Sequence, residues 1–118
     1  VQNDPVVSIG YSRTPMGGFQ GDFAGVKATE LGAQAVKAAV ERSGANPAAI
    51  DRVYMGCVLP AALGQAPARQ ATLGAGLPQS AEATTVNKMC GSGMQAAIMG
   101  YEALAAGTAD MVVAGGME

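Results

Sequence analysis

An α/β fold built on a mostly parallel sheet, in the order βαβαβαβ, is what this sequence predicts. Three observations carry the prediction. Short apolar or β-branched runs alternate with stretches of helical periodicity, Gly and Pro punctuate the junctions, and the last helical stretch is apolar nearly all round. Alternation of strand and helix argues for parallel strands joined by helical crossovers. A helix without a clear polar face is normally buried on all sides. Burying this one needs more layers than four strands and two other helices supply. A partner segment or chain is therefore expected to cover it, unless Ala-rich helix propensity alone explains its composition.

The elements follow in order. Val6-Val7-Ser8-Ile9 is a short apolar run and the expected first strand. Ser12-Arg13-Thr14-Pro15-Met16-Gly17-Gly18 is a loop, marked by Pro and paired Gly. Between Lys27 and Arg42 the polar residues Lys27, Glu30, Gln34, Lys37 and Glu41 recur every three or four positions, which is one wet face of a helix. Ser43-Gly44 stops it, with Gly suited to a left-handed cap. Asn46-Pro47 is an N-cap followed by Pro at the first helical position. A second strand runs from Arg52 to Val58, and Pro67 opens a helix through about Leu73. Ala83-Thr84-Thr85-Val86 is β-branched and forms the third strand. Gly91 to Ala106 is the third helix, interrupted mainly by Gln95 and Glu102, with Gly107 as its stop. Met111-Val112-Val113-Ala114 is the fourth strand, broken by Gly115-Gly116.

The chain has 118 residues, of which 49% are hydrophobic and 14% charged, and that composition supports a packed core rather than disorder. A net charge of -2 without a Lys/Arg cluster gives no field for nucleic acid. No apolar run has the length of a membrane span. Val1-Gln2-Asn3-Asp4-Pro5 lacks the charged and apolar regions of a signal peptide, so none is expected. Cys57 and Cys90 make no disulfide framework, and a reducing compartment fits them. The lack of a targeting segment favours the cytoplasm, with an organelle the alternative where the N-terminus has been trimmed. The chain contains no His. Most acid–base chemistry at neutral pH leans on imidazole, so any catalytic base here is another residue type or lies elsewhere.

The candidate site is Asn87-Lys88-Met89-Cys90-Gly91-Ser92-Gly93, where a strand gives way to the apolar helix. Unpaired amides at a helix start, together with the helix dipole, favour a thiolate over a thiol. The Cys90 amide is a candidate donor to an oxyanion formed when the sulfur attacks a carbonyl. Gly91 and Gly93 leave room for an acyl chain against the backbone. Spacing alone also allows Cys90 to be an inert core residue. Cys57, within the second strand, is expected to be a core residue.

Residues 87 to 96, Asn-Lys-Met-Cys-Gly-Ser-Gly-Met-Gln-Ala, resemble the nucleophile motif of the thiolase family of acetyl-CoA C-acyltransferases. Three further segments agree in order. Arg13-Thr14-Pro15-Met16-Gly17-Gly18-Phe19 resembles the family's opening RTPxGxF. Gly64-Gln65-Ala66-Pro67-Ala68-Arg69-Gln70-Ala71 resembles its GQNPARQA segment, with Ala66 where Asn is usual. Gly115-Gly116-Met117-Glu118 resembles its GGMES stretch.

The resemblance implies a thiolase-like half-domain, with residues 1–118 the first part of the N-terminal domain and the loop and C-terminal domains outside this chain. It implies a five-layer αβαβα arrangement with the third helix in the central layer. It implies that Cys90 takes an acyl group from acyl-CoA, and that acetyl-CoA then attacks this thioester to give a 3-ketoacyl-CoA, or the reverse thiolysis. The substrate is a coenzyme A thioester, with no metal and no permanently bound cofactor, in a homodimer or homotetramer. The family's catalytic His and second Cys belong to segments beyond residue 118, so this chain alone is not expected to turn over. Arg13, Lys88 and Glu118 are candidates to reach a site, with tying loops and interfaces the favoured expectation, and Met89 and Met117 are expected to pack or to wall a pocket. A ketoacyl synthase is the rival enzyme, but Gly-Ser-Gly after Cys90 favours a thiolase. A non-catalytic interaction subunit with the same fold is the rival of another class.

Overall fold

A computed structural model describes residues 6–118. Helix α1 (Ala28–Ser43) is followed by a 3-10 turn (Pro47–Ala49), strand β1 (Arg52–Gly56), helix α2 (Pro67–Gly74), strand β2 (Glu82–Val86), helix α3 (Ser92–Ala105) and strand β3 (Val112–Gly116). The three strands form a parallel sheet in the order β2-β1-β3.

The local signals explain the element ends. The Lys27, Glu30, Gln34, Lys37 and Glu41 face of α1 is exposed, and Val36 and Val40 on its other side are buried. Gly44 closes the helix at φ 72°, the left-handed value that favours Gly. Asn46 Oδ1 accepts the Ala48 N–H at 3.1 Å, which caps the turn that Pro47 opens.

Three layers result. On one face of the sheet Val36 and Val40 of α1 and Ala68 and Ala71 of α2 pack with Val53, Met55 and Cys57. On the other face Ala96 and Ala103 of α3 pack with Tyr54. Central β1 is thus covered on both sides, as expected for a parallel sheet with helical crossovers.

Two expectations need correction. Val6 to Ile9 is not a strand. Just after it, at Gly10, the chain meets α1, so closely that a Cβ there would stand 2.6 Å from the Ala39 carbonyl oxygen. A cavity of about 700 Å³ separates Val6 to Ile9 from the free edge of β3, so the ladder hydrogen bonds that define a strand are not made. Second, Gly115 and Gly116 do not break β3. They pair in register with Met55 and Gly56, and the strand runs to Gly116 because that ladder continues. The sheet covers α3 along one stripe only, Ser92, Ala96, Gly100 and Ala103, while Met94, Ile98 and Tyr101 are exposed. One sheet can cover only one side of a helix.

Candidate active site

The register puts Gly56, Val86 and Gly116 side by side at the carboxyl ends of the three strands. Ligands of open α/β sheets bind at that edge. Cys90 follows Val86 by one tight turn, and its side chain is exposed.

That turn is tied at every step. Asn87 Oδ1 accepts the Met89 N–H at 3.0 Å. The Lys88 carbonyl accepts the Gly91 N–H at 3.0 Å, and the Met89 carbonyl accepts the Ser92 N–H at 3.0 Å. Ser92 Oγ accepts the Lys88 N–H at 2.8 Å and donates to the Met89 carbonyl at 2.6 Å. Within these ties Met89 is held at φ 49°, a left-handed conformation that costs a non-Gly residue roughly 1–2 kcal/mol. The first main-chain bond of α3 is from Gln95 N–H to the Gly91 carbonyl at 2.8 Å. The amides of Gly93 and Met94 therefore have no main-chain acceptor, as expected at a helix start.

Beside Cys90 lies a cavity of about 470 Å³. Arg13 and Met16 from the opening loop, Met89 and Cys90 from the turn, and Met117 and Glu118 from the end of the chain line it. Three of the four motif segments therefore meet at one place. The fourth, Gly64–Ala71, contributes no lining residue, and its Ala68 and Ala71 belong to the core. The expectation of packing or pocket wall for Met89 and Met117 resolves to pocket wall, with Met117 also in the core.

The charged residues that line the cavity, Arg13 and Glu118, are tied down, and so is Lys88 in the turn beside it. Glu118 accepts the Leu59 N–H at 2.7 Å and the Val58 N–H at 3.1 Å, so its carboxylate holds the loop that leaves β1. Arg13 Nη1 donates to the Thr14 carbonyl at 3.1 Å, and Lys88 Nζ donates to Gln95 Oε1 at 3.1 Å. Cys57 does not reach the cavity lining. It is buried, its Sγ lies 4.0 Å from Glu118 Oε1, and burial first, then that carboxylate, raises its pKa. Among the described residues no three or more His, Cys, Asp or Glu side chains gather as a metal site would require.

Sequence reasoning left Ser92 without a role. Its one available signal was a hydroxyl two positions after the cysteine, at the start of an otherwise apolar helix.

A family model described as the N-terminal domain of thiolase matches residues 6–118. The acetyl-CoA acetyltransferase of Schizosaccharomyces pombe is 53% identical over 116 residues, which are 98% of this chain and 29% of that protein. A cytosolic acetyl-CoA acetyltransferase of Gibberella zeae is 51% identical over 114 residues, 97% of this chain and 29% of that protein. The crystal structure of a thiolase from Ascaris suum in complex with coenzyme A superposes with a TM-score of 0.90 at 38% identity, over 92% of this chain and 28% of that one. The chain thus spans less than a third of the length of the proteins it matches.

Proposed function

The chain belongs to the thiolase family, and from that premise we propose that it is the first part of the N-terminal domain of an enzyme that moves acyl groups between coenzyme A thioesters through Cys90. The observation that carries this reading is the exposed Cys90 at the start of α3, at the carboxyl ends of three parallel strands and beside a cavity.

The chemistry runs in two halves. The Cys90 thiolate forms a bond to the carbonyl carbon of acetyl-CoA, and the carbonyl electron pair moves onto oxygen. The Cys90 amide donates to that oxyanion. Collapse breaks the bond to coenzyme A, which leaves as its thiolate and takes a proton. A second acetyl-CoA, deprotonated at its methyl carbon, then attacks the acetyl-cysteine. The new carbon–carbon bond gives acetoacetyl-CoA, and Cys90 leaves as thiolate. Thiolysis is the reverse. The proton transfers fall to the family's His and second Cys, in segments beyond these residues, since this chain contains no His.

The same segments account for the bare side of α3. Met94, Ile98 and Tyr101 form an apolar stripe at helical spacing. We assign the remaining layers of a five-layer αβαβα enzyme to cover it, in a homodimer or homotetramer. A cytosolic setting, the one in the name of the Gibberella zeae relative, suits two free cysteines.

The test is intact-mass spectrometry of the enzyme that carries this segment, before and after acetyl-CoA. An acetyl group on the Cys90 peptide, absent in Cys90→Ser, is expected. Acetylation that persists in Cys90→Ser removes Cys90 as the acyl carrier.

A further inference from the structure

We propose that the Ser92 hydroxyl is a positioning group that aims the Cys90 amide at the oxyanion. This rests on the acyl-transfer reading and adds to it a second residue, one that lines the cavity beside Cys90 but spends its hydroxyl on the main chain of the turn.

Ser92 is 4% exposed and is one of three buried polar or charged residues among those described. Its side chain is wedged against the end of β1, where a Cβ on Gly56 would stand 2.8 Å from the Ser92 Cβ. An N-cap serine would use its hydroxyl to accept a helix amide. Ser92 sits one position inside α3, after Gly91, and its hydroxyl turns back out of the helix. It accepts from Lys88 N–H at 2.8 Å and donates to the Met89 carbonyl at 2.6 Å, while its own N–H donates to that carbonyl at 3.0 Å. Two donors from one residue therefore fix a single carbonyl.

The consequence follows from the peptide bond. The Met89 carbonyl and the Cys90 N–H share one plane and, in a trans peptide, point in opposite directions. No cis peptide is present. A carbonyl pinned towards Ser92 therefore points the Cys90 N–H away from Ser92, and no main-chain acceptor takes it. The left-handed Met89 is part of the same device. Its φ of 49° is a costly conformation for a non-Gly residue, and the two groups that Ser92 binds, the Lys88 N–H and the Met89 carbonyl, flank it on both sides. Such an amide is already aimed before the reaction, so no reorganisation is needed as charge forms on the substrate oxygen.

Two reactions of the same sulfur separate this role from a structural one. Alkylation of Cys90 by iodoacetamide forms a bond to an sp³ carbon and develops no carbonyl oxyanion. Acetylation by acetyl-CoA does. In the full enzyme, Ser92→Ala is expected to slow Cys90 acetylation by about tenfold to a hundredfold, below the full loss of an oxyanion donor. Alkylation should stay within about threefold, and Ser92→Thr, which keeps the hydroxyl, should restore acetylation. If Ser92→Ala does not fold, the double variant M89G/S92A takes its place. Glycine relieves the left-handed turn but returns no hydroxyl, so acetylation should remain slow. Equal loss of both reactions, or acetylation at the wild-type rate, overturns the positioning role. A wild-type enzyme that alkylates at Cys90 but takes no acetyl group overturns the acyl-transfer reading itself, a result distinct from either.

Discussion

A Cβ on Gly56 would lie 2.6 Å from the carbonyl carbon of Ser92, so the end of β1 and the start of α3 meet backbone to backbone. Gly56 also pairs with both Val86 and Gly116, which makes it the central point of the strand ends around Cys90. The start of α3 is therefore seated against Gly56 and Gly116, two strand-end residues without side chains.

Gly56→Ala tests that seating. The added methyl meets main-chain atoms, which cannot swing aside as a side-chain tip could. The helix start must move, at a cost of about 1–3 kcal/mol for overpacking. Both the unfolding midpoint of the enzyme and the rate of Cys90 acetylation should fall. A variant that matches wild type in both would show that β1 and α3 separate freely.

The motif was legible in the sequence, while this seating was not. Cys90, its junction between strand and helix, and the polar face of α1 follow from residue type and spacing. So do the caps at Gly44 and Asn46, because each depends on local backbone geometry. Val6 to Ile9 failed as a strand because strand formation needs a partner edge, and a cavity separates it from the edge of β3. Gly115-Gly116 misled because a glycine pair looks like a stop when its ladder partner is unseen. Ser92 escaped notice because its role is set by what its hydroxyl reaches, at Lys88 and Met89.

The two thiols should separate cleanly by reactivity. Cys90 is exposed, whereas Cys57 is 1% exposed and has its pKa raised by burial and then by the Glu118 carboxylate. Thiolate is the reactive form. Brief treatment of the native enzyme with iodoacetamide near pH 7 should label the Cys90 peptide and leave the Cys57 peptide unlabelled. Labelling of both should appear only after denaturation. Equal native labelling would mean that the loop held by Glu118 opens readily.

Acid should expose the part played by Asp51. Its Oδ2 accepts the Asp110 N–H at 2.7 Å and the Met111 N–H at 3.0 Å, which fixes the turn entering β3. Those two bonds lower its pKa. The folded value lies below the ordinary aspartate value of about 3.9, so the folded state holds fewer protons there. The resulting stability is fully present above about pH 5 and is lost as pH falls through the lowered folded pKa. Asp51→Ala should lower the unfolding midpoint at pH 7, and the gap from wild type should narrow at pH 3 and below. A gap that does not change with pH would assign the effect to packing rather than to charge.

Ala66 offers the opposite direction, a substitution that should stabilise. It precedes α2 at φ 49° and ψ 70°, in the left-handed region, without a side-chain cap. That conformation is costly for alanine and better tolerated by asparagine, whose short polar side chain can bond locally. Pro67 follows, and the Ala68 N–H is already taken by Thr85 Oγ1 at 3.0 Å, so the Arg69 N–H is the nearest amide a side chain at position 66 could cap. Ala66→Asn should therefore raise stability by on the order of 1 kcal/mol, read as a higher unfolding midpoint. Ala66→Val should lower it, because a β-branched residue crowds a left-handed backbone. The lining of the Cys90 cavity contains no residue from this segment, so acetylation by either variant should stay at the wild-type rate. If Asn fails to stabilise while Val is harmless, the left-handed turn at Ala66 carries no strain, and its shape is set by the surrounding core instead.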